Sequence, residues 1–488
     1  MNDIAIGRNL LQNFLGNSPK WYKLLILFFL FINPIVLWLF GPFVAGWVLL
    51  LQFITTLAFS LACYPLLPGG LLVLEALFLG LTSPEAMFTE TARNFEVIIL
   101  LIFMVAGVFF LKGLLLFLFG SILIETKSKT KLALLFCSMG ALLSAFLDAL
   151  TVTAVLITVA GGFYHVYYQV ASSATSKDQD LDLEKFQDFL RSLVMHGVVG
   201  TALGGVCTMV GEPQNLIVAK IMGWDFLGFF LAMAPVTIPV MISGFCLCVL
   251  LERLKIFGYG QPLPTSVRTI LESHNQRLVN DRTDQEKTKL VIQAIVAALI
   301  CISLAFHIAE VGIIGLFAIV ILTAFNGVTD EHEIGKAFEE SLPFVSLLIV
   351  FFGIVSAIHH LHLFEPITNW VLSFEASKQP SVLYITNGLL SMISDNVFVA
   401  TVYINEVKAV FDEGGLTKRQ FDDLAIAINT GTNIPSIATP NGQAAFLFLL
   451  TSGLAPLIKL TYFRMMFMAL PYTVILGFVG WVGVATLL

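Results

Sequence analysis

Apolar runs long enough to cross a lipid bilayer as helices dominate this chain, and no other feature narrows its fold as far. They cover 22–40, 43–63, 97–119, 226–251, 290–306 and 342–358, and a helix needs about 17–25 apolar residues to cross the hydrocarbon core. With 57% hydrophobic residues, 12% charged residues and a mean hydropathy of +0.89, the composition excludes a water-soluble globule. The expectation is an all-α polytopic membrane protein. The polar start (Asn2, Asp3, Arg8, Asn9, Gln12, Asn13, Lys20, Lys23) is unlike a cleavable signal, so the first run is read as a true span. The net charge of −7 comes from loops, and no basic stripe suggests nucleic acid. Cys63, Cys137, Cys207, Cys246, Cys248 and Cys301 contain no CxxC pair and are read as small core residues rather than a redox or metal centre.

Lysines 127, 129 and 131 follow one span, and Arg253, Lys255, Arg268, Arg277, Arg282, Lys287 and Lys289 fill the stretch 252–288. The positive-inside rule puts both in the cytoplasm with the N-terminus (Arg8, Lys20, Lys23). Spans over 22–40, 43–63, 66–82 and 97–119 then bring the chain back inside where the lysines stand. The acidic stretches 171–191 and 330–340 do not support their inside placement, though acids count little in the rule. Counting on, spans over 192–223, 226–251, 290–307, 309–326 and 342–364 alternate, and the C-terminus falls outside.

Within this frame one text occurs twice: Leu143-Ser144-Ala145-Phe146-Leu147-Asp148-Ala149 and Leu390-Ser391-Met392-Ile393-Ser394-Asp395-Asn396. Each places an aspartate four residues after a serine in apolar surroundings. An acid at bilayer depth costs about 2.5–3.5 kcal/mol on insertion scales, so a matched pair argues for an ion or proton pathway. The segments 132–168 and 381–405 suit re-entrant helical hairpins with the aspartates at their tips, two ordinary packed helices being the alternative. The span count approaches them from opposite sides, which is the pattern of an inverted repeat.

Downstream of each tip lies an interrupted helix. In 192–223 the text runs Gly200-Thr201-Ala202-Leu203-Gly204-Gly205 and then Gly211-Glu212-Pro213-Gln214-Asn215. In 422–452 it runs Asn429-Thr430-Gly431-Thr432-Asn433-Ile434-Pro435 and then Thr439-Pro440-Asn441-Gly442-Gln443. Proline and glycine open a helix and release backbone groups that a polar partner must satisfy. The candidate cation- and proton-binding set is therefore Asp148, Asp395, Asn396, Ser144, Ser391, Thr151, Glu212, Asn215, Thr432, Asn433 and Asn441, with Na⁺ at Asp148 and Asp395. A cation and a proton compete there because each neutralises the same carboxylate. The competing structural readings are hydrogen-bonded acids at the tips, a helix-end carboxylate for Glu212 and packing kinks for the prolines.

The remaining ionisable residues read more plainly. His196 is either a satisfied core histidine or a pH sensor. Glu75 is a structural acid, His307 and Glu310 pair on one helical face, and Lys112 snorkels to the surface. His359, His360 and His362 cap a span end.

These residues carry a resemblance over nearly the whole length. Asn13-Phe14-Leu15-Gly16-Asn17-Ser18-Pro19, Cys63-Tyr64-Pro65-Leu66-Leu67-Pro68-Gly69-Gly70, Ser144 to Thr151, Val210 to Asn215 and Asn429 to Asn441 resemble the NhaB family of bacterial sodium/proton antiporters. That family is similar to a wider ion-transporter superfamily whose dicarboxylate carriers have Ser-Asn-Thr at both tips. This chain has Asp148-Ala149-Leu150 and Asp395-Asn396-Val397 instead, which favours a cation over an anion. The first tip lacks the asparagine of the second. The resemblance implies a homodimer in the bacterial inner membrane, with a fixed scaffold, a mobile transport domain moving like an elevator, and no cofactor. It divides the chain into N-terminal scaffold spans (1–95), repeat one (96–251), a cytoplasmic linker (252–288), scaffold spans of repeat two (289–340) and the transport part of repeat two with the last span (341–488).

The expected function is exchange of cytoplasmic Na⁺, and also Li⁺, for external H⁺. An anion or organic-acid carrier is the alternative, with helix N-termini facing a carboxylate, but it predicts a basic or hydroxyl-rich tip. An intramembrane aspartyl protease needs a second aspartate behind Gly-x-Gly, whereas Asp395 follows Ile393-Ser394. No ring of residues suggests a channel.

Overall fold

The computed structural model describes residue 9 and residues 12–171, 177–339 and 341–488, with their side chains except at 169–171, 177–181 and 274–280. Asn2, Asp3, Arg8 and Glu340, and the side chains of Lys177, Asp178, Asp180 and Arg277, lie outside the described residues. Helices α1 (Lys20–Ala58), α2 (Leu66–Phe78), α3 (Pro84–Arg93), α4 (Phe95–Phe109) and α5 (Lys112–Glu125) open the chain. A first group follows, α6 (Lys129–Ser144), α7 (Ala149–Ala171), α8 (Lys177–Gly205), α9 (Pro213–Met222) and α10 (Phe226–Leu254). Next come α11 (Thr265–Asn280), α12 (Asp284–Ala305), α13 (Val311–Asn326), α14 (Glu331–Glu339), α15 (Leu342–His360) and α16 (Glu365–Leu372). The last group is α17 (Gln379–Ser391), α18 (Asn396–Asp412), α19 (Lys418–Asn433), a 3₁₀ turn (Pro435–Ala438), α20 (Ala444–Thr451), α21 (Leu454–Leu457) and α22 (Tyr462–Leu487). No strand occurs among the described residues.

Six of these helices are long and apolar enough to cross a membrane, or seven if the pair α3–α4, bent by 57°, counts as one span. These spans and the shorter apolar helices α2 and α13 carry large exposed apolar side chains, Phe31, Trp38, Phe78, Phe325 and Phe463 among them, a surface that suits lipid rather than water. Span ends are closed by polar caps. Asp225 caps α10, and capping boxes Thr283/Glu286 and Thr417/Gln420 open α12 and α19.

The expected spans 22–40 and 43–63 fall within α1, where Gly41 leaves helical geometry at φ 81°. A straight helix would separate Asn33 from Gln52 by about 28 Å. Instead their side-chain amides exchange two hydrogen bonds of 2.8 and 2.7 Å, so the chain doubles back at Gly41. Asn33 also donates to Glu75 at 2.6 Å, which gives that acid a structural partner.

Several expectations change. The span expected over 66–82 ends at Phe78, and its 13 residues rise only about 20 Å, less than the bilayer core. The continuous span expected over 97–119 breaks at Phe110–Leu111, where tight turns replace the helix ladder and the Gln293 side chain accepts from Leu114 N at 2.6 Å, satisfying an otherwise orphaned helix-start donor. The linker 252–288 holds α11 and the acidic loop 330–340 holds α14, amphipathic helices too polar for a span-length signal. His307 and Glu310 do not share a helical face: they occupy the turn between α12 and α13, with His307 at φ 48°. Lys112 lies over the Phe109 ring at 5.9 Å. His359 sits 3.5 Å from Glu90 at the end of α15.

The first and last groups repeat one scheme of packing. α6 packs on α8 as α17 packs on α19, and α6 meets α10 as α17 meets α22. Across the groups, α7 packs on α20 as α18 packs on α9, and α10 meets α19 as α22 meets α8. Lys129, at the start of α6, lies 3.5 Å from Glu252, at the end of α10, so the first basic stretch meets the start of the second.

Candidate functional site

Both aspartates stand where one helix ends and the next begins. Asp148 Oδ2 accepts from Thr151 N at 3.2 Å at the start of α7. Asp395 Oδ1 accepts from Val397 N and Phe398 N at 2.9 and 3.3 Å at the start of α18. Each is thus an N-cap, aimed at the positive end of its helix. Asp148 is 2% exposed, while Asp395 is half-buried.

Each tip meets the break in its own group. Gly211 lies against Gly205 and the Ser144 carbonyl; Gly442 lies against the Ser436 and Ser391 carbonyls. These contacts set a register between the breaks in which Gly205 matches Ser436, Gly211 matches Gly442 and Glu212 matches Gln443. Only glycine tolerates such approach: a methyl at Gly204 would sit 1.8 Å from the Ala141 carbonyl. Glu212 is buried beside Ser144 at this crossing and within electrostatic reach of both Asp148 and Asp395.

The two breaks are joined to each other. Asn433 Nδ2 donates to Asn215 Oδ1 at 3.0 Å and to Asn429 O at 2.7 Å, and its Oδ1 accepts from Gln214 Nε2 at 2.6 Å. Asn215 Nδ2 donates to the Gly205 and Thr208 carbonyls, both at 2.7 Å. Gln443 Nε2 donates to Asn433 O and Ser436 Oγ at 3.1 and 3.0 Å.

Around this lattice several buried polar atoms have no hydrogen-bond partner in the protein: Ser144 Oγ, Thr151 Oγ1, Glu212 Oε1, Gln214 Oε1, Asn396 Nδ2 and Gln443 Oε1. Each orphan costs about 1–3 kcal/mol, and native proteins keep few of them. Oxygens dominate the set, a donor chemistry that suits a hard cation. Among the described residues no three of His, Cys, Asp and Glu converge as a metal cage, so Asp148, Glu212 and Asp395 do not share one coordination sphere here. A cavity of about 330 Å³ touches both tips, lined by Leu150 and Thr151 from the first, Asp395 from the second, and Ser60, Tyr64 and Asn441. Its remaining wall is largely apolar, with Leu57, Leu101, Leu347 and Phe448.

The other expected residues take different places. Ser391 donates to Thr432 O at 2.6 Å, and the Thr432 hydroxyl turns back to Ile428 O at 2.8 Å, so both hydroxyls are engaged by backbone. Asn441 ties the second break to the end of α1 through Ala58 O at 2.9 Å and Ser60 at 3.3 Å. His196 makes its contacts away from the two tip aspartates. Its ring nitrogens meet Tyr472 Oη at 2.7 Å and Glu252 Oε1 at 3.0 Å, and the ring stacks on Tyr259. The sequence reading missed Gln214 and Gln443, which are amides in the same broken motifs; the register that pairs Gln443 with Glu212 exists only in space.

A family model described as "Bacterial Na+/H+ antiporter B (NhaB)" matches residues 2–488. The chain is 59% identical to a Na(+)/H(+) antiporter NhaB of Marinobacter nauticus, covering 96% of each chain. It is 58% identical to one of Teredinibacter turnerae, covering 97% of each. Among solved structures, Neisseria gonorrhoeae MtrF, described with a class of antimetabolite efflux pumps, superposes with a TM-score of 0.50 at 13% identity, over 82% of this chain and 83% of that one. This last likeness concerns the fold alone.

Proposed function

Because the chain belongs to the NhaB family of bacterial Na⁺/H⁺ antiporters, we propose that it exchanges cytoplasmic Na⁺, and Li⁺ as well, for external H⁺ across the bacterial inner membrane. Its relatives are transporters rather than enzymes. The observation that carries the reading at residue level is the matched pair of capping aspartates, each set against a broken helix, with one cavity that Asp395 lines directly and that reaches the first tip at Leu150 and Thr151.

The chemistry is competition. A carboxylate at bilayer depth is costly to move while charged, and Na⁺ or H⁺ removes that cost by neutralising it. Asp148, Asp395 and Glu212 take turns carrying either occupant, with Ser144, Thr151, Asn396 and the opened backbone as further oxygen or amide partners. Exchange is tight when the empty, charged site moves poorly. A net charge moved per cycle couples to the membrane potential at about 2.3 kcal/mol per 100 mV.

The repeated packing scheme of the two groups supports an inverted repeat, with 132–168 and 381–405 as re-entrant hairpins and α10 and α22 completing the transport part. In this reading α1, α2 and 289–340 form the scaffold of a homodimer, the transport part moves against it, the N-terminus is cytoplasmic and the C-terminus periplasmic. The two carboxylate tips disfavour an organic anion as cargo.

The test is Na⁺-dependent proton movement in proteoliposomes, read with a pH-sensitive dye. Addition of Na⁺ is expected to collapse a preformed proton gradient. Folded, reconstituted protein that leaves the dye unmoved by Na⁺ overturns the proposal.

A further inference from the structure

The helix breaks contain a second matched pair that the carboxylate chemistry does not use. Thr208 Oγ1 donates to the Ala145 carbonyl at 2.5 Å, and Thr439 Oγ1 donates to the Met392 carbonyl at 2.6 Å. Thr208 and Thr439 each stand three residues before the close-packed glycine of their break, and Ala145 and Met392 each stand three residues before the tip aspartate. The same bond therefore occurs twice, once in each group.

This is not the usual behaviour of a threonine in a helical protein. Thr201 and Thr432 turn their hydroxyls back to Val198 and Ile428 on their own helix, the local bond that such side chains favour. Thr208 and Thr439 instead cross to a different element, 63 and 47 residues away. What they meet is the carbonyl just past the end of α6 and of α17, one of the acceptors a helix C-terminus leaves without a partner. Each threonine is also tied within its own break: the Thr208 carbonyl accepts from Asn215, and Gly442 N donates to Thr439 Oγ1 at 3.2 Å.

We infer that Thr208 and Thr439 are positioning residues for exchange, each pinning a hairpin tip to its helix break so that Asp148 or Asp395 is held in register with the opened backbone. The inference rests on the reading of those aspartates as the exchange site. Without the hydroxyl the tip carbonyl loses its donor and the aspartate three residues on loses its fixed distance from the break.

Thr208→Val and Thr439→Val remove the donor at nearly constant shape, and Thr208→Ser and Thr439→Ser restore it. Half-saturation for Na⁺ and maximal exchange rate are measured in proteoliposomes per amount of folded protein, with thermal unfolding as a control. Each valine variant is expected to raise the Na⁺ half-saturation about fivefold to tenfold, the size of one lost hydrogen bond, with a smaller change in maximal rate. Each serine variant is expected to return within about twofold of the parent, well inside the effect of that bond. If a valine variant does not fold, the alanine variant at that position takes its place. A folded variant that lowers the unfolding temperature but keeps the parental half-saturation makes the hydroxyl structural only and overturns the inference. An inactive parent protein instead defeats the exchange reading beneath it, so the two failures separate.

Discussion

Asn433 and Asn215 are hydrogen-bonded side chain to side chain at 3.0 Å although 218 residues separate them in sequence. The bond fastens the break of one group to the break of the other, and both amides are fully used: Asn215 spans two carbonyls of its own loop while Asn433 also accepts from Gln214. Side-chain networks of this kind can be worth more than the sum of their separate bonds.

Asn433→Ala strips partners from Gln214 and Asn215 at one stroke. Each buried group left unpaired costs about 1–3 kcal/mol, so the unfolding temperature in detergent is expected to fall and Na⁺-driven exchange to drop more than tenfold. Parental stability together with parental exchange contradicts this account of the lattice.

Asp148→Asn and Asp395→Asn, made singly, keep the size and capping ability of the residue but remove the charge that, in the proposed exchange, Na⁺ and H⁺ neutralise. Each variant is expected to fold, judged by size-exclusion profile, and to show strongly weakened or no exchange. Full activity in either removes that aspartate from the site.

Gln443→Glu places a carboxylate where Glu212 stands in the matching break. The added charge is expected to lower the Na⁺ half-saturation at alkaline pH and to slow maximal exchange, because more charge must be neutralised before the site moves. Kinetics indistinguishable from the parent take Gln443 out of the cation's surroundings.

Gly204→Ala tests the crossing of α6 and α8. The new methyl would meet the Ala141 carbonyl at 1.8 Å, and overpacking of this kind costs about 1–3 kcal/mol or more. Low yield of folded protein is expected from expression and thermal unfolding, and a variant as stable as the parent shows that α6 and α8 can separate there.

His196 has both ring nitrogens engaged in a network with Glu252, Tyr472 and, through Glu252, Lys129. His196→Gln keeps a hydrogen-bonding side chain but cannot take up a proton. Exchange with an unaltered pH profile is the expected outcome, measured from pH 6.5 to 8.5 about the ordinary histidine range. A flattened profile makes His196 a pH sensor instead.

Much of this protein was written in one dimension. The apolar runs required a helical membrane protein because a backbone in lipid must satisfy its own hydrogen bonds, and the spans at 226–251, 290–307 and 342–364 match α10, α12 and α15 within a few residues. Ser144-to-Asp148 and Ser391-to-Asp395 announced two equivalent turns, and Gly, Pro and Asn marked where two helices open. Hydropathy did not reveal the break at Phe110–Leu111, because a residue far along the chain, Gln293, caps the new helix, nor the helices α11 and α14, whose polar faces hide them from a count of apolar residues. Local text also could not say that His196 bonds to Glu252 and Tyr472 rather than to the tip aspartates, that Ser391 and Thr432 spend their hydroxyls on backbone, or that Gln443 is the counterpart of Glu212. Chain order settles which segments become helices, since that depends on neighbours a few positions away. Which side chains meet depends on how two distant helix breaks close against each other, and only packing in three dimensions decides that.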